Sequence, residues 1–336
     1  MIKVKGKGGI EAVIVADSKS SVDGQRITTF LLTYHRFVHA ELMTHRMFSR
    51  NAMSSRAVPV KTMLDLVKNN PATPIHWGKN QAGMQAKEEH DQFVVWDDAE
   101  LTKEVMWKAC AEDAAYSAEC FSKAGYHKQL VNRILEPFQM IRVLVTATSF
   151  DNFFNLRFHE DSQPEICELA RCMLVAFKHS TPEVLHPGEW HTPFVEHERD
   201  GGMLHYSAGG RPLLPEDAIK VSCSCAAQTS YRKADTSIEK ALSIYEKLVG
   251  SDPAHSSAFE HCATPIDYGR FYDTTEMDSF DGLTHIDKNS NAWSNNFKGW
   301  IQYRALIPNN VCVSFDYSKE VDETGLEITD VSGEEI

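Results

Sequence analysis

The stretch THRMFSRNAMSSRA, from Thr44 to Ala57, is where the reading of this chain turns. It sets Arg46, Ser49, Arg50, Asn51, Ser54, Ser55 and Arg56 side by side and contains no carboxylate. Such side chains have little use in an apolar core, because every buried donor needs a partner. Guanidinium, hydroxyl and amide groups together suit an anionic ligand that carries phosphate, since the planar fork of arginine meets phosphate oxygens in pairs. A solvated basic loop is the plainer reading of the same residues.

Around this stretch the composition is that of a globular protein. The 336 residues are 42% hydrophobic and 24% charged, enough to fill a sizeable core in one large domain or two small ones. The net charge of −13 argues against broad, non-specific binding of nucleic acid. A small anionic substrate then needs a local cationic pocket, which the Arg46–Arg56 run can supply. No apolar stretch reaches the roughly eighteen residues of a membrane span. The N-terminus, MIKVKGKGGIEAVIV, has neither a secretory apolar region nor a cleavage site, so the expected location is cytoplasmic. The eight cysteines include no CxxC pair; Cys223 and Cys225 form a CxC, and Cys262 follows His261. That spacing does not suit a zinc knuckle, no metal is expected, and the cysteines read as small buried hydrophobes.

Periodicity gives the elements. Ile10–Ala16 and Ile27–Tyr34 read as two strands of a hairpin turning at Asp23-Gly24. Phe37–Thr44 suits a short helix leading into the signature run. Residues 69–98 and 186–215, rich in Pro and Gly, read as two long loop excursions. Leu101, Val105, Ala109 and Cys110 suggest a helix over Leu101–Lys123. The clearest helix is Gln163–Phe177, where Ile166, Leu169, Ala170, Met173, Leu174 and Phe177 form one apolar stripe. Ser162 and Glu165 would cap it as a capping box, with Pro164 in its first turn. Ile238, Leu242, Tyr245 and Val249 mark another amphipathic helix. The tail, 318–336, is acidic and lacks an apolar pattern.

The opening stretch resembles the signature of the flavin-dependent thymidylate synthases. His45, Arg46, Ser49, Asn51, Ser54 and Arg56 fit the family's spaced pattern of His, Arg, Ser, Asn, Ser and Arg, and Thr44 stands where the family has a further arginine. A second segment, Val145 to Arg157, resembles a later family motif at Asn152, Asn155, Leu156 and Arg157. Gln163, Glu165 and Ile166 follow it in the family's manner, with Pro164 in place of a tryptophan. NRILEP, Asn132 to Pro137, puts Arg133 on a family arginine. AAQTSY (Ala226 to Tyr231) and HSSAFEH (His255 to His261) resemble two further motifs, but they follow the signature here and precede it in the family. The layout is that of a permuted or rearranged relative, which surface termini that lie close together permit.

What the resemblance implies is specific. The fold class is α+β, a single large domain over 1–317 with a central mixed or antiparallel sheet flanked by helices. The reaction is FAD-dependent transfer and reduction of a one-carbon unit from methylenetetrahydrofolate to C5 of dUMP, giving dTMP, with NADPH reducing the flavin. The assembly is a homotetramer with sites between subunits, and no nucleic acid partner is expected. Arg157 is the catalytic residue by resemblance: it holds the pyrimidine and, as a permanent cation, favours its N3-deprotonated form. Its plainer reading is a helix-surface arginine paired with Glu160 or Asp161. Ser54, Ser55, Arg56 and Arg133 bind the nucleotide phosphate, and Glu41 stands beside the nucleotide. His45, Arg46, Asn152, Ser257 and Glu260 contact FAD, with Ser230 near its phosphates.

Several positions depart from the family. Besides Thr44, Ala52 replaces a Glu, Glu41 a Gln, Thr148 an Arg that contacts FAD, and Asp161 a His. Another pyrimidine nucleotide such as dCMP therefore stays open as substrate, and hydroxymethyl as product. Two readings from other classes stay open as well: a nucleotide- or nucleic-acid-binding protein without catalysis, and a metal-assisted hydrolase built on His255, His261, Cys223 and Cys225. WGKNQAGMQA (Trp77 to Ala86) and NNFKGWIQYR (Asn295 to Arg304) are distinctive, but the sequence gives them no chemistry.

Overall fold

The computed structural model describes residues 1–229, 237–251, 255–269, 281–312, 314–318, 320–322 and 324. Ser230 and most of the acidic tail lie outside the described residues. From the N-terminus the chain runs through β1 (Lys3–Lys5), β2 (Glu11–Ser20), β3 (Arg26–His35), α1 (His39–Met43), β4 (Ser49–Ala52) and α2 (Val60–Asn69). It continues through β5 (Val94–Trp96), β6 (Ala99–Leu101), α3 (Lys103–Lys123), α4 (Lys128–Ile134), β7 (Met140–Ala147), α5 (Asp151–Arg157), α6 (Pro164–His179) and β8 (Glu183–Leu185). Then come β9 (Glu196–Asp200), β10 (Met203–Ala208), β11 (Arg211–Leu213), α7 (Pro215–Ala227), α8 (Ile238–Val249), a 3-10 turn over Ser256–His261, β12 (Ala263–Pro265), β13 (His285–Ile286), β14 (Ala292–Ser294), β15 (Phe297–Lys298) and β16 (Trp300–Gln302).

The expected hairpin is the spine of the main sheet. β2 and β3 pair antiparallel, with a bulge at Ile14/Ala16, and the six-stranded sheet takes the order β1-β2-β3-β7-β4 with β8 added parallel to the end of β2. The architecture is α+β, as expected. Period-2 alternation sorts β3 and β7 into two faces. Phe30, Leu32, Tyr34, Ile141, Val143 and Val145 face α6, where they meet Ile166, Leu169, Ala170, Met173 and Ala176. Each of these helix residues is fully buried, and burying such a side chain contributes on the order of 1.5–3 kcal/mol for the larger ones. Phe150 and Phe153 of the following segment close the same core.

The opposite face is partly polar. Leu144 packs there with Ala226 of α7 and Ala258 of the 3-10 turn. Beside it runs a buried row of hydrogen bonds: Ser18 Oγ to His191 Nδ1 at 2.8 Å, His191 Nε2 to Thr29 Oγ1 at 2.8 Å, Thr29 Oγ1 to Thr146 Oγ1 at 2.7 Å, and Thr146 Oγ1 to His261 Nδ1 at 2.8 Å. His261 Nε2 ends the row 3.3 Å from the Asn51 side chain of β4. Every buried polar group of the row is thus satisfied, as burial demands.

Four local expectations are corrected. The capping box does not form: Gln163 is the N-cap, the Ser162 hydroxyl donates to Leu156 O, and Glu165 instead accepts from the Ile75 N–H. The other Glu165 oxygen accepts from the Gln163 side chain at 3.3 Å, so neither oxygen is turned to a Ser162 cap. α3 buries Ala111, Ala115 and Ala118, not the stripe read from Leu101, Val105, Ala109 and Cys110; Leu101 ends β6 and Val105 is exposed. Alanine lets α3 lie close against Met63, Leu64 and Val67 of α2. The excursion at 186–215 contains a three-stranded antiparallel sheet, order β11-β10-β9. Its Gly201-Gly202 and Gly209-Gly210 pairs all have positive φ, so glycines that looked like loop are two-residue hairpin turns. The excursion at 69–98 carries β5 of a small hairpin at its end. Among the described residues no helix is long and apolar enough to cross a membrane.

Candidate functional site

β4 carries Ser49–Ala52 of the signature run along the edge of the sheet, next to β7, and the turn before it holds His45 and Arg46. α5 begins just beyond β7 and sets Arg157 in its last turn. The two meet. Arg157 Nε donates to His45 Nε2 at 2.9 Å, Nη1 lies 3.3 Å from Glu41 Oε2, and Nη2 lies 3.3 Å from Thr44 Oγ1. The guanidinium pairs with Glu41, while Lys87 takes Glu160 and Asp161. Both Nη atoms keep a second N–H for a ligand.

His45 receives the Arg157 N–H, so it is neutral, with its proton on Nδ1. It is buried between Phe48 and Phe153, their ring centroids 5.8 and 4.9 Å away. Burial, helped by the Arg157 and Arg50 charges, lowers its pKa to about 4. Burial raises Glu41, and the charge of Arg157 opposes that rise. A cavity of about 300 Å³ opens beside this cluster, lined by Thr44, His45, Arg46, Ser149, Asn152 and Arg157 among others. A second, of about 370 Å³, lies on the other side of Arg46 and Phe48. Arg50, Glu260, Asn295, Asn296, Gln302, Arg304 and Asn310 line it. Arg46 borders both, is exposed, and has no hydrogen-bond or ion-pair partner among the described residues.

The expected residues thus fall into separate places. Glu41, His45, Arg46, Asn152 and Arg157 come together. Glu260 joins Arg46 at the second cavity and forms an ion pair with Arg304. Ser257 is exposed on the same 3-10 turn, lining neither cavity. Ser54, Ser55, Arg56 and Arg133 lie outside both cavities. There, Ser55 donates to Glu136 Oε1 at 3.2 Å, Arg36 reaches the same oxygen at 2.9 Å, and Arg133 stands 3.9 Å from it. Glu136 is thus the shared partner of Ser55, Arg36 and Arg133. Arg56 and Arg133 are exposed.

The residues of the other readings are also placed. His261 is fully buried in the polar row and held neutral, its pKa lowered by burial to about 3. His255 is exposed. Cys223 and Cys262 are buried with their sulfurs 3.8 Å apart. Among the described residues no group of three His, Cys, Asp or Glu side chains could hold a metal ion.

Residues 8–183 match the family model described as thymidylate synthase complementing protein, a little over half of the chain. The chain belongs to that family. It is thereby an enzyme, a thymidylate synthase-like methyltransferase of pyrimidine nucleotides. The matched stretch of this family member includes the signature run, Arg157 and α6; the AAQTSY and HSSAFEH segments follow it. Similar solved structures include the UMP/dUMP methylase PolB from Streptomyces cacaoi bound with 5-Br dUMP, at 16% identity and TM-score 0.38, covering 52% of this chain and 92% of that one. The same methylase bound with 5-Br UMP shows 17% identity and TM-score 0.38, covering 52% and 91%. No curated protein matches.

Arg50, which the sequence placed in the cationic run, lines the second cavity; sequence reasoning missed Arg304, Asn295, Asn296, Gln302 and Asn310 there, and Glu136 and Arg36 as neighbours of Ser55 and Arg133. The density of carboxamides in NNFKGWIQYR was the available signal; nothing in its spacing ties it to Arg46.

Proposed function

We propose that this enzyme transfers a one-carbon unit from methylenetetrahydrofolate to C5 of dUMP and reduces it to methyl, with FAD reduced by NADPH. The observation that carries this reading is Arg157 fixed by His45, Glu41 and Thr44 in the wall of a cavity. Arg157 holds the pyrimidine edge and, being a cation that gives up no proton, lowers the pKa of the neighbouring N3–H. Three anchors keep the guanidinium in one place, and that preorganisation is what makes an electrostatic contribution effective.

The donor set suits a flavin dinucleotide. Arg46 faces both cavities and has no partner among the described residues, and Asn152 and the neutral His45 offer further polar contacts at the first. Bound there, FAD would supply the electrons that turn the transferred carbon into methyl. Ser54, Ser55, Arg56 and Arg133 would take the nucleotide phosphate, with Glu136 giving way to it. None of these four residues lines the Arg157 cavity of its own chain, which supports a shared site in which one subunit's phosphate donors serve another's cavity, as in the homotetramer that the family resemblance implies.

A second reading, dCMP as substrate, is favoured by Glu41. Its carboxylate beside Arg157 would accept from an exocyclic amine, which uracil lacks. Anaerobic turnover with labelled methylenetetrahydrofolate and each of dUMP and dCMP tests both, with product mass separating methyl from hydroxymethyl. Label in neither nucleotide, from a colourless protein that FAD cannot reconstitute, would leave a nucleotide-binding protein without catalysis.

A further inference from the structure

We infer that the segment Asn295–Asn310 belongs to the ligand site, and that Arg304 binds the diphosphate of a dinucleotide in the second cavity. The inference rests on the flavin-dependent reading and extends it to residues beyond the stretch that the family model matches.

The segment is tied to the signature run by buried polar contacts. Asn296 Nδ2 donates to Met47 O at 3.0 Å and to Ser49 Oγ at 3.1 Å, and Gln302 Nε2 donates to Ser49 Oγ at 3.2 Å and to Glu260 O at 3.3 Å. Ser49 and Gln302 are each 1% exposed. Between Asn296 and Gln302 the Lys298 N–H donates to Thr148 Oγ1 at 2.9 Å, and Thr148 is itself buried. A longer, charged side chain at 148 would have to displace β15. The small residue at 148 and the docked segment therefore go together.

The chemistry of the resulting wall is that of an anion site. Arg46, Arg50 and Arg304 face one carboxylate, Glu260, and four carboxamides, Asn295, Asn296, Gln302 and Asn310. Arg304 gives Nη1 to Glu260 and Nη2 to Asn310 O, which leaves it fixed and still holding N–H groups to spare. Arg50 is anchored in the same way on Met43 O at 2.7 Å. Two net positive charges, donors on several sides and a volume of about 370 Å³ suit a diphosphate, not a single carboxylate. Two dinucleotides carry that group in the proposed reaction, FAD and NADPH.

The test is calorimetric titration of the full-length protein, freed of bound flavin, with FAD, NADPH and riboflavin, for wild type, Arg304→Met, Arg304→Lys and Asn295→Gly. Asn295 has a φ of 53°, so glycine removes its carboxamide without backbone strain. Arg304→Met should weaken one dinucleotide by about tenfold to a hundredfold, the scale of a charged hydrogen bond, and leave riboflavin unchanged. Arg304→Lys should recover part of the loss, and Asn295→Gly should show a smaller loss with the same selectivity. A loss confined to FAD, or to NADPH, says which diphosphate is held. Equal losses for FAD and riboflavin would make Arg304 a structural prop and overturn the inference, as would unchanged affinity for both dinucleotides. If Arg304→Met fails to fold, Asn295→Gly decides alone by the same criteria. A wild type that binds no FAD would sink the flavin reading and this inference with it; a wild type that binds FAD, with variants that bind equally, sinks only the inference.

Discussion

Toward α6, β3 and β7 present Phe30, Leu32, Val143 and Val145; toward the C-terminal half, the same two strands present Thr29, Leu144 and Thr146. The first face is a dry, interlocked core made within the family-matched stretch. The second is stitched by hydrogen bonds to residues that lie far along the chain, His191 and His261. One cavity adjoins each kind of construction. The Arg157 cavity is bounded by segments that also fill the apolar core, while the Arg304 cavity depends on the C-terminal segment docked on Ser49 and Thr148. The contrast teaches that apolar contact sets the scaffold, and that directional contacts decide which distant segment completes a site.

The contrast is broken hardest on its apolar side. Leu169→Ala should cost about 2–5 kcal/mol of stability, read as a lower denaturation midpoint at constant slope; an unchanged midpoint would remove Leu169 from the core. Arg157→Ala tests the cavity beside that core. Turnover should fall by at least about a hundredfold, on the scale of a lost preorganised donor, with FAD still bound; undiminished turnover would take Arg157 out of the mechanism.

The polar side should break more gently. Thr146→Val cuts the row between Thr29 and His261 and should cost about 1–3 kcal/mol, the penalty of a buried partner left unsatisfied. A loss as large as that of Leu169→Ala would mean that the two faces do not differ in kind. The buried imidazoles of both faces make the fold sensitive to acid. Burial holds His45, His191 and His261 neutral, with pKa values lowered from 6.5 to about 4, about 3 and about 3. The unfolded chain takes up protons below its ordinary histidine pKa and the folded chain does not. Stability is therefore full above about pH 6.5 and declines as the pH falls toward these lowered values. Denaturation midpoints measured between about pH 7 and pH 5 should fall, and less so in His261→Asn; a flat profile in wild type would show that the imidazoles are not held neutral.

How much was legible follows the same division. The hairpin and α6 were readable because apolar side chains on a regular backbone leave a period. The α3 stripe misled because alanine marks close approach without standing out as hydrophobic, and the 186–215 sheet was hidden by glycines that serve turns and loops alike. In the site, His45, Arg46, Asn152 and Arg157 lie in compact local motifs, so their meeting was readable. Glu136 stood in view within NRILEP, yet its hold on Ser55 and Arg36 depends on a fold that joins residues distant in sequence. Asn296, Gln302 and Arg304 come from short strands and turns, where polar contacts leave no repeat to count.

The row from Ser18 to Asn51 has one more consequence. Every hydroxyl and neutral imidazole in it has a single proton to give, so each member's choice dictates its neighbour's. The Asn51 amide can be turned two ways: Oδ1 toward His261 Nε2 at 3.3 Å, or the nitrogen in that place, giving to Arg50 O at 3.0 Å and Ser257 O at 3.2 Å. In the first, His261 must give at Nε2 and receive at Nδ1, and the polarity is passed link by link through Thr146, Thr29 and His191 to Ser18. In the second, both amide hydrogens go to those carbonyls and His261 Nε2 has no acceptor there, so its proton belongs at Nδ1 and the arrows run the other way. The tautomers of two histidines, the rotors of three hydroxyls and one amide are thus a single two-position variable, legible at either end of the sheet.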